Sequence, residues 1–97
     1  MTSGGTLTNV ISACNNPVRL VESGPAGGAI LATSIAEDLK LDKVISFDMG
    51  GTTAKITIIE NQKAIKAREF EVDRKARFKK GSGLPLRIPV IEMVEIG

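Results

Sequence analysis

Apolar residues group into distinct patterns along this chain, and each pattern predicts a different element. Two runs, residues 44–47 and 54–59, are dense in β-branched side chains and flank Asp48-Met49-Gly50-Gly51-Thr52-Thr53. They read as two strands joined by a turn. Upstream, Gly28, Leu31, Ala32, Ile35, Ala36 and Leu39 recur at helical period on one arc, with Thr33, Ser34, Glu37, Asp38 and Lys40 opposite. Ser23 or Gly24 can cap that helix and Pro25 suits its first turn. Downstream, Phe70 and Val72 alternate with Glu69, Glu71 and Asp73, predicting a half-buried third strand over residues 63–72 after a turn at Glu60-Asn61-Gln62. Residues 79–85 form a turn-rich loop, and residues 87–96 are apolar, with Pro89 marking an edge or a strand start. The first twenty residues offer only a short strand at 18–21. The expected fold is α/β: a helix followed by an antiparallel three-strand meander.

The turn between the first two strands carries the candidate chemistry. Gly50 and Gly51 lack the Cβ that would block a phosphate from backbone N–H groups, and such turns often demand positive φ. Thr52 and Thr53 add hydroxyl donors. Asp48, at the end of its strand, is placed to hold a hydrated Mg²⁺, which commonly takes one or two carboxylates and keeps much of its water. A P-loop would need a lysine that this turn lacks, and a dinucleotide fingerprint would open a helix rather than a strand. The same spacing also fits a plain hairpin in which Asp48 caps local amides.

Ser23, Gly24, Gly27 and Gly28 open the helix, where free amides and partial positive charge suit an anion. They form a possible second ligand-proximal turn. Close helix–strand packing through glycine explains these residues equally well.

Taken together, Ser23-Gly24-Pro25-Ala26-Gly27-Gly28, a helix, and Phe47-Asp48-Met49-Gly50-Gly51-Thr52-Thr53 resemble the hydantoinase A/oxoprolinase family of large ATP-dependent subunits. Ser3-Gly4-Gly5 near the start, residues 68–72, 77–86 and 89–97 extend the resemblance over almost the whole chain, and the last two segments are similar to the N-methylhydantoinase A branch. The resemblance implies a partial actin-like ATPase (ribonuclease H-like) fold in which Asp48, Gly50, Gly51, Thr52 and Thr53 bind ATP phosphates and Asp48 orients Mg²⁺, through water. It implies a hydantoin-like cyclic amide substrate, activated by phosphorylation of its carbonyl oxygen, and a second subunit of hydantoinase B type. An acetone or acetophenone carboxylase-type subunit and a non-catalytic actin-like structural module are the alternatives. Where the family commonly carries an acidic residue two places after the second Thr, Lys55 stands here. That leaves catalytic, regulatory and vestigial roles open for the turn. The family's other Asp-x-Gly-Gly-Thr motif is absent from these residues.

Length then shapes the expectation. Family members run to several hundred residues, so residues 1–97 are expected to be an internal, partial domain truncated at both ends and catalytically silent by itself. The general base and other catalytic residues are not identifiable in it. A chain of 97 residues builds a thin core. The single Cys14 supports neither a disulfide framework nor a thiolate metal cluster, and the lack of His excludes a His-based triad or zinc site. A net charge of +2 is too small to imply nucleic acid, because Arg68, Arg74, Lys75, Arg77, Lys79 and Lys80 are interleaved with acids and only Phe70 and Phe78 could stack. No apolar run reaches membrane-spanning length and no secretory pattern opens the chain, so a cytoplasmic location is expected.

Overall fold

Pairing of β1 (Lys43–Met49) with β2 (Ala54–Glu60) organises the structure, a computed structural model that describes residues 1–72, 74–76 and 79–97. The two strands are antiparallel and in continuous register from Lys43 opposite Glu60 to Met49 opposite Ala54. The other edge of β2 holds β3 (Lys63–Ala64) at one end and β8 (Val94–Ile96) at the other, which completes a four-stranded sheet. A two-residue hairpin at Asn61-Gln62 joins β2 to β3, with φ of 49° and 61°. Positive φ at both central residues matches the right-handed strand twist.

The expected third strand is divided. After β3, residues of β4 (Lys66–Ala67) pair with β7 (Val90–Ile91), and β5 (Phe70–Val72) pairs with β6 (Leu84–Leu86). Residues 63–72 therefore serve three sheets: the antiparallel meander β1-β2-β3 is present, but its third strand is only Lys63–Ala64, and the rest of the expected strand pairs elsewhere. The strand starting after Pro89 is present as β7. Asp73, Arg77 and Phe78 lie outside the described residues, as do the expectations that involve them.

α2 (Ser23–Asp38) covers one face of the four-stranded sheet, but of the expected stripe only Ala36 is buried there. Ala26, Ala29 and Ala36 are buried, whereas Leu31, Ile35 and Leu39 are exposed. The helix carries two apolar arcs, one of small residues and one of large ones. The small arc lets the helix axis approach the sheet closely, and Ala26, Ala29 and Ile91 form the core there with Ile30, Ala64 and Met93 packed around them. On the sheet, Thr57 and Ile59 are buried on the α2 side. The opposite face is apolar and open: Ile45, Phe47, Met49, Ile58, Val94 and Ile96 are all exposed, Met49 by 73%.

The expected strand at 18–21 is instead a 3-10 helix (Pro17–Leu20), preceded by α1 (Val10–Asn15). Asn9 caps α1 by accepting from the Ser12 amide at 2.8 Å, a local signal that strand alternation does not register. The initial segment is anchored by Ser3, which is 2% exposed. Its amide donates to the Arg19 carbonyl at 2.7 Å, its hydroxyl donates to the Pro89 carbonyl at 2.9 Å, and its carbonyl accepts from the Ile91 amide at 3.1 Å. Ser3→Ala removes a buried donor and is expected to cost about 1–2 kcal/mol, read as a lowered urea midpoint at unchanged slope. Among the described residues no helix is long and apolar enough to cross a membrane.

Candidate phosphate site

Strand geometry puts the candidate residues at one end of the β1–β2 hairpin. The last ladder pairs are Asp48 opposite Lys55 and Met49 opposite Ala54, after which the Gly50 amide donates to the Thr53 carbonyl at 2.9 Å and closes the turn. Asp48, Gly50, Gly51 and Thr52 are exposed and Thr53 is half-buried. Neither glycine has positive φ, so that expectation is corrected. What glycine provides here is space: a Cβ on Gly51 would meet nothing within 4 Å, and one on Gly50 only the Thr53 carbonyl oxygen at 3.7 Å. The backbone of the turn is open to an approaching ligand.

Among the described residues no ion pair engages the Asp48 carboxylate. No group of three or more Asp, Glu, His or Cys that could hold a metal exists among them either. A lone exposed carboxylate cannot cage a bare cation. It would suit only a largely hydrated Mg²⁺, held through one carboxylate.

The start of α2 differs from expectation in its cap. Glu22, not Ser23 or Gly24, occupies the N-cap position, with φ 60°, ψ 22° and no side-chain capping bond. Left-handed backbone is uncommon outside Gly, Asn and Asp. Ser23 is the first helical residue and Pro25 lies in the first turn as expected. A Cβ on Gly24 or Gly28 would meet nothing within 4 Å, and Gly27 faces only the Met1 sulfur at 3.6 Å. Close helix–strand packing through these glycines is thereby excluded.

One side chain joins the two glycine-rich segments. Lys55 Nζ lies 3.3 Å from Glu22 Oε2 and 3.8 Å from Glu95 Oε1, and it donates to Thr53 Oγ1 at 3.4 Å. Ser23, Gly24, Gly27 and Gly28 are thus tied to the turn through their neighbour Glu22 rather than by contacts of their own.

Behind Lys55 opens a cavity of about 600 Å³ lined by Glu22, Lys55, Phe70, Glu71, Arg74 and Glu95 among others; none of residues 48–53 lines it. Glu71 is the residue that alternation misplaces. Its side chain is 10% exposed, its Oε1 accepts from the Gly81 amide at 2.6 Å, and its Oε2 lies 2.9 Å from Arg74 Nε as an ion pair rather than an aligned hydrogen bond. The Gly81-Ser82-Gly83 turn, facing a strand glutamate across a hairpin, is the sequence feature that could have flagged it.

A single helix over an antiparallel sheet, with an exposed Asp-x-Gly-Gly-Thr-Thr turn at the end of the first hairpin, defines an α/β domain. Within that class the chain belongs to the hydantoinase/oxoprolinase family, whose family model matches residues 1–97. It is 42% identical over 99 residues to an uncharacterized protein of Methanocaldococcus jannaschii, a match covering 99% of this chain. The chain spans only 15% of that relative's length. No solved structure matches it.

Proposed function

We propose that this chain is the phosphate-turn portion of an ATP-dependent cyclic amide hydrolase of the N-methylhydantoinase or 5-oxoprolinase type. The observation that carries the reading is the solvent-open turn at 50–53 with the Asp48 carboxylate beside it. Membership of the hydantoinase/oxoprolinase family, which includes ATP-dependent enzymes, supports it. ATP, when bound, supplies the phosphoryl group that makes an amide carbonyl a better electrophile. The Gly50 amide is engaged by the Thr53 carbonyl, so the Gly51 and Thr52 amides with the Thr52 and Thr53 hydroxyls would donate to phosphate oxygens, and Asp48 would orient the water shell of Mg²⁺; positioning and charge stabilisation of this kind account for most of the catalysis of phosphoryl transfer.

The same proposal makes residues 1–97 an internal part of a larger cytoplasmic subunit that works with a second subunit of hydantoinase B type. Two observations support it: the 15% span of the relative's length and the open apolar face of the sheet, an unusual surface for water to cover. The substrate is a hydantoin-like cyclic amide whose pocket lies on other sequence.

The test is calorimetric titration of Mg-ATP into the complete subunit, wild type beside Asp48→Asn, with hydantoin-dependent ATP hydrolysis followed on the same samples. The expected outcome is Mg-ATP binding weakened about tenfold, with hydrolysis falling alongside. Unchanged binding and hydrolysis in Asp48→Asn would make the turn structural and leave a non-catalytic actin-like module as the reading.

A further inference from the structure

We propose that Lys55 is a positioning residue that sets the hydrogen-bond polarity of Thr53, committing that hydroxyl to donate to a phosphate oxygen rather than to accept from a metal-bound water. This rests on the phosphate reading of the turn and adds the means by which the turn selects its ligand atom.

A threonine hydroxyl has one proton to give and two lone pairs, whereas a lysine ammonium can only donate. Because Lys55 Nζ donates to Thr53 Oγ1, one lone pair is consumed and the hydroxyl proton is left to point elsewhere. A hydroxyl that accepts from a charged donor is also polarised into a stronger donor itself. Its proton then suits an anionic oxygen arriving over the open turn.

The surroundings hold the ammonium in place for this task. The Lys55 side chain is 18% exposed and is gripped by Glu22, 29% exposed, and Glu95, 51% exposed. These carboxylates come from the start of α2 and from β8, so two elements beyond its own strand fix a side chain whose four-carbon stem would otherwise wander. A carboxylate at position 55 would reverse the arrangement. It would accept a hydrogen bond from the Thr53 hydroxyl, leaving the hydroxyl's lone pairs to face outward, where they could accept from water bound on a cation. Lysine at this position therefore moves the site toward the phosphate itself and away from dependence on the metal.

The experiment titrates ADP in EDTA, ADP with Mg²⁺, and adenosine into the complete subunit. The variants are Lys55→Glu, Lys55→Met and Lys55→Arg, together with Thr53→Val alone and combined with Lys55→Met; thermal melting monitors the fold of each. Lys55→Glu is expected to weaken ADP binding in EDTA about tenfold or more, and by clearly less with Mg²⁺. Lys55→Met, which adds no third carboxylate beside Glu22 and Glu95, loses about fivefold in EDTA, and Lys55→Arg restores affinity to within about threefold of wild type. Adenosine binding is unchanged throughout. In the Thr53→Val background Lys55→Met has no additional effect, because the hydroxyl through which it acts is gone.

Each departure from this pattern has a definite meaning. Equal losses for ADP and adenosine, or additive losses in the Thr53→Val background, overturn the positioning role. If wild type binds ADP and Lys55→Met binds it equally well, the role of Lys55 falls, and the Asp48→Asn titration decides separately whether the turn holds the phosphates. Failure of wild type to bind ADP in both conditions removes the phosphate reading and this proposal with it.

Discussion

Ile59→Ala is expected to lower the unfolding free energy by about 3–4 kcal/mol, whereas Ile45→Ala, next to the cross-strand partner of Ile59 in the same hairpin, should change it by no more than about 0.5 kcal/mol. The two isoleucines have the same intrinsic strand preference and lie on adjoining strands. Their surroundings differ completely. Ile59 is fully buried, sits opposite Val44 on β1 and Ala64 on β3, and points to the side of the sheet that α2 covers. Truncating it removes three carbons and leaves a cavity that paired strands on both sides hold open, so the loss exceeds simple transfer of the methyl groups to water. Ile45 is 69% exposed on the opposite face and gives up little contact. A domain of this size has a total stability of about 5–15 kcal/mol, so Ile59→Ala removes a large part of it. Urea unfolding of both variants measures the difference directly. Comparable losses at the two positions would mean that the apolar face is covered in solution and that Ile45 is buried after all.

The contrast between the two faces also shows where sequence patterning carries information and where it stops. β1, β2 and the turn between them are legible because β-branched density and a Gly-Gly interruption are local properties, and the strands run within a residue or so of the expected limits. The Asn61-Gln62 hairpin is legible for the same reason. The packed face of α2 is not, because periodicity weights Leu31, Ile35 and Leu39 above Ala26 and Ala29, while the sheet selects whichever arc allows the closer approach. Residues 63–72 fail in a different way. Alternation predicts a strand but cannot name its partner, and pairing with β7 and β6, more than ten residues away in sequence, breaks one expected strand into three.

The candidate site divides along the same line. Asp48, Gly50, Gly51, Thr52 and Thr53 are contiguous, so the sequence places them together without help from the fold. Lys55 is visible only as a departure from a pattern until the register and the start of α2 bring Glu22 and Glu95 to its ammonium. Glu71 is hidden by the rule that charged residues on an alternating strand face water. Its burial depends on a loop ten residues onward supplying an amide.

Gly83→Ala is expected to open the β5–β6 hairpin at a cost of about 3 kcal/mol, without weakening Mg-ATP binding at the turn. A Cβ at Gly83 would collide with the carbonyl oxygen of Val72 and come within 3.1 Å of Arg74 Cγ and 3.2 Å of Arg74 N. Val72 is the ladder partner of Leu84, so the obstacle is backbone fixed by strand pairing rather than the movable end of a side chain. Gly81 supplies the control. It has φ of 83° but open space around its Cβ position, and Gly81→Ala should cost only about 1 kcal/mol of conformational strain. Hydrogen exchange would show lost protection over residues 70–72 and 84–86 in Gly83→Ala, with the β1–β2 hairpin still protected. The functional consequence separates two places where nucleotide could sit. Opening the hairpin displaces Glu71 and Lys80 and so dismantles a wall of the cavity behind Lys55, yet it leaves the turn at 50–53 on the intact β1–β2 hairpin. Unchanged Mg-ATP affinity in Gly83→Ala puts the phosphates on the turn. A parallel loss of affinity would instead move the ligand into the cavity and make its wall, rather than Asp48, the next place to mutate.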